Sequence, residues 1–199
     1  MTSLEAVLRR VAADLEELGA RFAIVGGIAV SVRTEPRFTR DLDLAVAVGS
    51  DREAEALVGN LLRRGYRVLA QVEQEAANRL AALRLAPPAG VGTEGVVVDM
   101  LFASSGIEAD VVEGAELVEA FPGFAALVAG RGHLLALKVL AREATRPQDD
   151  ADIRQLLAVS GPAEIQIARE ALRRIGSRGF HRKKDLLAEL EAFLRKGSI

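Results

Sequence analysis

The chain has no cysteine, no tryptophan, one tyrosine and two histidines in 199 residues. Without thiols there are no disulfides and no thiolate-held metal sites. His133 and His181 stand alone, without metal-ligand spacing, and take no assigned role. No stretch approaches the ~20 uninterrupted apolar residues needed to span a bilayer. The first residues, Met1 to Ala6, lack a basic region followed by an apolar one, so no secretory signal is read there. These absences together predict a soluble, cytoplasmic protein with no membrane partner. Ser104-Ser105 has neither a Gly-x-Ser-x-Gly context nor an obvious histidine partner, which argues against a serine hydrolase.

What is present is a 50 % hydrophobic composition, enough to build the core of one domain or two small ones. The net charge of −2 conceals an uneven distribution. From Arg169 to the C-terminus nine Lys or Arg stand against four acids, leaving −7 on the first 168 residues. Such a basic segment attracts polyanions or forms a solvated helix face. It holds two Phe and no Trp or Tyr, so a base-stacking surface is poorly supported.

Periodicity divides the chain in two. Helical spacing over 3–18 is followed by a strand over 21–25, a short helix over 28–32, a strand over 41–48 and a helix over 51–64. Strands are then expected over 66–71, 79–86 and 95–102, with a turn-rich loop over 87–95. Residues 111–127 fit short strands or a helix. Helices are expected over 133–143, 149–159, 162–174 and 184–196. The prediction is an α+β fold: a mixed sheet with flanking helices over 1–105, then a mostly helical region over 106–199 that completes the site.

The chemistry concentrates in acids placed within apolar runs. Asp41 and Asp43 share one face of their strand, because side chains at i and i+2 point the same way, while Leu42, Leu44, Val46 and Val48 turn to the core. Two like charges so close need a proton or a cation, and Mg²⁺ favours one or two carboxylates together with substrate phosphates. Asp99 interrupts the apolar run Val96 to Phe102, a costly place for an unpaired charge. It is either the third carboxylate of a two-metal site or a strand-end acid bonded to a loop, Arg37 or Arg40. Gly26-Gly27 lies at a strand-to-helix turn, where backbone N–H groups can approach a phosphate, although a plain tight turn has the same look. Thirteen residues, 28 to 40, separate it from Asp41. Lys138 sits in the apolar helix Leu134 to Leu140 and needs either a phosphate or a carboxylate partner.

This order of elements resembles the nucleotidyltransferase superfamily with the polymerase-β palm-like fold, matching at Gly26, Gly27, Asp41, Asp43 and Asp99. The stretches Val25 to Val30 and Arg37-Phe-Thr-Arg-Asp-Leu-Asp-Leu44 look more closely like the AbiEii-type nucleotidyltransferases, many of them toxins of toxin–antitoxin systems. That group's downstream Lys and Asp fit Lys138 and Asp149. The group often has an aromatic residue before the last Asp of this second motif; the chain has Ala151, which leaves Asp149, Asp150 and Asp152 open. The resemblance spans about residues 21 to 157.

It implies a Mg²⁺-dependent, NTP-binding (ATP-binding among them) enzyme that moves a nucleoside monophosphate to a hydroxyl of RNA, tRNA or protein, with a cognate antitoxin as a candidate partner. Asp41, Asp43 and Asp99 would hold metal, with Lys138 and Asp149 also catalytic. Gly26, Gly27, Arg40 and Lys138 would bind the nucleotide. The rival readings are a small-molecule, aminoglycoside-type transferase and a non-catalytic antitoxin-like or nucleotide-binding module.

Overall fold

The computed structural model describes residues 2–74, 79–92, 95–143 and 145–196. Residues 93 and 94 of the expected loop over 87–95, and 197–199 of the basic segment, lie outside the described residues.

Helix α1 (Ser3–Glu17) is capped by Thr2, whose side chain accepts the Glu5 N–H while Glu5 reaches back to the Thr2 N–H. Strand β1 (Arg21–Val25) leads straight into α2 (Gly26–Arg33), which starts two residues before the expected helix. Then come β2 (Asp41–Ala47), α3 (Asp51–Arg63), β3 (Arg67–Gln74), β4 (Arg79–Ala86) and β5 (Val97–Leu101). The ambiguous stretch 111–127 resolves into the end of α4 (Glu108–Glu113) and a hairpin, β6 (Glu116–Phe121) and β7 (Phe124–Val128). Four helices follow: α5 (Arg131–Ala141), α6 (Pro147–Ala158), α7 (Pro162–Ser177) and α8 (Leu186–Lys196). Proline opens both α6 and α7, where its missing N–H costs no helical bond.

The seven strands form one sheet in the order β3-β4-β5-β2-β1-β7-β6. The C-terminal region is therefore not helical alone: β7 pairs in parallel with β1, Ile24 opposite Val128. The sheet crosses the boundary expected at residue 105. On β2 the even-numbered Leu42, Leu44 and Val46 are fully buried, each stabilising the fold by about 1.5–3 kcal/mol relative to exposure. Helices α1 and α4 pack against β1 and β2, while α5 lies among α2, α6, α7 and α8. No helix among the described residues is long and apolar enough to cross a membrane.

Candidate active site

Three adjacent strands bring the site together. Asp43 stands opposite Asp99 across the parallel β2–β5 pair, and Arg84 stands opposite Asp99 across the antiparallel β4–β5 pair. Residues in register share a face, so Asp41, Asp43, Asp99 and Arg84 all line one cleft of about 710 Å³, with Lys138 of α5 facing them. That volume is ordinary for a small-molecule site.

Arg84 is the residue that sequence reasoning missed. Its guanidinium holds both oxygens of Asp99, at 2.8 and 2.6 Å, and lies 3.8 Å from Asp41. The pair raises the Arg84 pKa, chiefly through the hydrogen bond to Asp99. Like Asp99, Arg84 breaks an apolar strand, Leu80 to Ala86; two opposite charges in two apolar runs were the legible signal. The outcome differs from a closed three-carboxylate cage. Among the described residues no group of three acids or histidines is arranged to enclose an ion, and Asp99 is turned to Arg84.

Asp41 and Asp43 remain as hard oxygen donors. The Asp43 carboxyl is pushed up to about 6, by burial first and then by Asp99, while Lys138 and the Gly27 N–H draw it down. The pair fits Mg²⁺, which readily binds through one or two carboxylates plus phosphate oxygens. Gly26 makes room for it. With φ +63° it is left-handed, and a Cβ there would lie 1.9 Å from Asp43 Oδ2. A Cβ on Gly27 would lie 2.7 Å from Thr39 Oγ1.

The segment before β2 follows strand parity. Arg37, Thr39, Asp41 and Asp43 line the cleft. Arg40 has the opposite parity, is exposed, and stacks over Phe38 at 5.4 Å. Arg40 does not line the cleft, whereas Arg37 does. Arg37 Nε is buried with no hydrogen-bond partner among the described residues.

On the helical side the three open acids separate. Asp149 is buried, lines the cleft, and accepts the Glu143 N–H at 3.3 Å, with Arg146 at 3.4 Å. Asp150 pairs with Arg142 at 2.6 Å and does not line the cleft. Asp152 is fully buried and takes Lys138 at 2.7 Å, Arg37 at 2.8 Å and Gln148 at 2.8 Å. Burial opposes its charge, but these bonds, Lys138 foremost, hold the carboxyl below its ordinary value. The carboxylate bridge considered for Lys138 thus exists, with Asp152 rather than Asp149.

Lys138→Ala strips one charged partner from Asp152 and should cost about 2 kcal/mol of stability. Adding Asp152→Asn should recover part of that loss, since no buried charge is then left short of partners. Melting temperatures of wild type, both single variants and the double variant check this; strictly additive losses would break the coupling.

The profile described as nucleotidyl transferase AbiEii toxin, type IV toxin–antitoxin system, matches residues 7–197. Among solved structures, an antigenic nucleotidyltransferase-like protein from Paracoccidioides brasiliensis is 21% identical, with TM-score 0.55, covering 96% of this chain and 93% of its own. The antibiotic-resistance factor ANT(2″)-Ia is 16% identical, with TM-score 0.51, covering 98% and 94%. At such identities these two likenesses concern the fold. No curated protein matches the chain.

Proposed function

Since the chain belongs to the AbiEii nucleotidyl transferase toxin family, we propose that it transfers a nucleoside monophosphate from an NTP to an acceptor hydroxyl, using Mg²⁺. The observation that carries this reading is the side-by-side Asp41/Asp43 couple, with Asp43 closely packed against the left-handed Gly26 turn. Asp41 and Asp43 would hold the metal. When bound, Mg²⁺ offsets the charge that builds on the leaving pyrophosphate and makes the acceptor hydroxyl easier to deprotonate.

The chain's own groups do the rest. The N-terminus of α2 at Gly27 and the partnerless Arg37 Nε offer donors to the triphosphate. Lys138 adds a point charge from the opposite wall once it leaves Asp152. The acceptor oxygen bonds to the α-phosphorus, the bond to the β-phosphate oxygen breaks, and pyrophosphate departs. Asp99, released from Arg84, takes the acceptor's proton. Asp149 supports the α5–α6 turn beside the site rather than meeting substrate.

The acceptor is read as RNA, tRNA included, and the protein as the toxin of a toxin–antitoxin pair in the cytoplasm, held in check by a cognate antitoxin. The family description supports the toxin reading, and Arg182, which brings a cation of the basic C-terminal segment into the cleft, supports a polyanionic acceptor. The test is transfer of label from each α-labelled NTP, with Mg²⁺, to RNA, to protein or to an aminoglycoside. Label on RNA supports the reading, and label on the aminoglycoside alone moves the protein to the small-molecule class. No transfer and no metal-dependent NTP binding would leave a non-catalytic module.

A further inference from the structure

Only two non-glycine residues among those described have a positive φ, and they are consecutive: Arg182 at 52° and Lys183 at 60°. They are the central pair of a four-residue turn closed by the Lys184 N–H donating to the His181 carbonyl at 2.9 Å. Glycine, asparagine or aspartate usually fill such left-handed positions, because a Cβ is crowded there. Two long basic side chains hold them here, so the turn is strained and must be braced from outside.

Both flanks supply the brace. On one side Phe180 is buried against Gly106, where a Cβ would come within 2.7 Å of the ring. On the other, the Lys184 ammonium donates to the carbonyls of Leu140 and Arg142 at the C-terminal end of α5. That bond fixes the turn to the helix that carries Lys138. Lys184 is therefore a structural cation, not part of a free basic face. Arg169, paired with Glu191, and Arg174 and Arg178, both on Asp110, are likewise engaged.

The turn sends its two cations to different places. Lys183 lines a separate surface pocket with His181 and Arg173. Arg182 lines the catalytic cleft. Four other cations line that cleft, and each is tied to a carboxylate: Arg37 and Lys138 to Asp152, Arg84 to Asp99, Arg146 to Asp149. Arg182 has no hydrogen bond or ion pair among the described residues. Strain maintained at a site, for a guanidinium with nothing to bind, is the pattern of a group waiting for a ligand.

We infer that Arg182 is a phosphate-binding residue of the cleft, presented by the strained 181–184 turn and pinned to α5 through Lys184. The inference rests on the nucleotidyl-transfer reading, and the phosphate belongs either to the NTP or to a nucleic-acid acceptor. A planar guanidinium suits both, since it offers paired N–H groups to two phosphate oxygens.

Calorimetric titration with inorganic tripolyphosphate and with a short single-stranded oligoribonucleotide separates the two. Arg182→Gly should weaken one probe about tenfold, while the melting temperature stays level or rises because glycine relaxes the turn. Loss toward tripolyphosphate assigns Arg182 to the NTP; loss toward the oligoribonucleotide alone assigns it to the acceptor. Lys183→Gly relaxes the same backbone, keeps the guanidinium, and should bind both probes like wild type. Unchanged affinity of Arg182→Gly for both, or an equal loss in Lys183→Gly, overturns the inference and leaves nucleotidyl transfer standing. Wild-type protein that binds neither probe and transfers no label brings down both.

Discussion

Asp43→Asn should silence nucleotidyl transfer and at the same time make the metal-free protein more stable at neutral pH. The activity loss should reach about a thousandfold, since a metal-holding carboxylate supports several kcal/mol of transition-state stabilisation. The stability gain follows from the raised carboxyl, displaced from 3.8 to about 6 by burial and by Asp99. Between those pH values the folded protein keeps a proton that the unfolded chain has released. Stability therefore falls as pH rises through that window and is fully reduced above about 6. The reduction amounts to about 3 kcal/mol, and asparagine removes it. Melting temperatures in chelator should coincide for wild type and variant near pH 4 and diverge by pH 7. Mg²⁺ should then stabilise the wild type alone. A variant that still turns over, or a gap that does not grow with pH, would remove Asp43 from its assigned role.

Gly26→Ala should also abolish transfer, through geometry rather than charge. Its Cβ would sit 1.9 Å from Asp43 Oδ2 and 2.4 Å from Asp43 Cγ, so the carboxylate must move. A displacement of about 1 Å costs on the order of a hundredfold in rate. The backbone adds a penalty of about 1–2 kcal/mol for a non-glycine residue in the left-handed region. Gly123→Ala isolates that second cost, because Gly123 has φ +71° and nothing within 4 Å of its Cβ position. Gly26→Ala should melt below Gly123→Ala, and adding Asp43→Ala should raise it again without restoring turnover. Equal melting temperatures with full activity would mean that the close approach of Gly26 and Asp43 does not matter.

Much of this site was legible because it obeys parity. Asp41 and Asp43 share a face with Arg37 and Thr39 by simple alternation, and the same rule puts Arg40 on the other side, beside Phe38. What alternation does not reveal is which strand lies next to which. The β2–β5 pair is parallel and joined through α3, β3 and β4, so the meeting of Asp43 with Asp99 depends on a register set far away in the chain. Arg84 was hidden for the same reason: its charge was visible but its partner was not. The acids of α6 needed the rotation of a helix against its neighbours before Asp152 could be told from Asp150. The β6–β7 hairpin did carry a local mark, Pro122-Gly123, but the apolar residues around it fit both periodicities.

The parallel pairing of β1 with β7 bears on the order in which the molecule can form. Strands β1 to β5 leave one side of β1 without a neighbour, and its residues Ala23, Ile24 and Val25 are almost wholly buried in the finished protein. That edge is closed only by a segment reached about a hundred residues later, at Val128. During synthesis the nascent sheet therefore presents an uncapped apolar strand until the hairpin leaves the ribosome, and an unpaired edge of this kind invites pairing with other chains. A chain cut short before the hairpin would carry the three strand-borne cleft aspartates, Asp41, Asp43 and Asp99, but lack the strand that covers β1, and would keep that edge open to other chains.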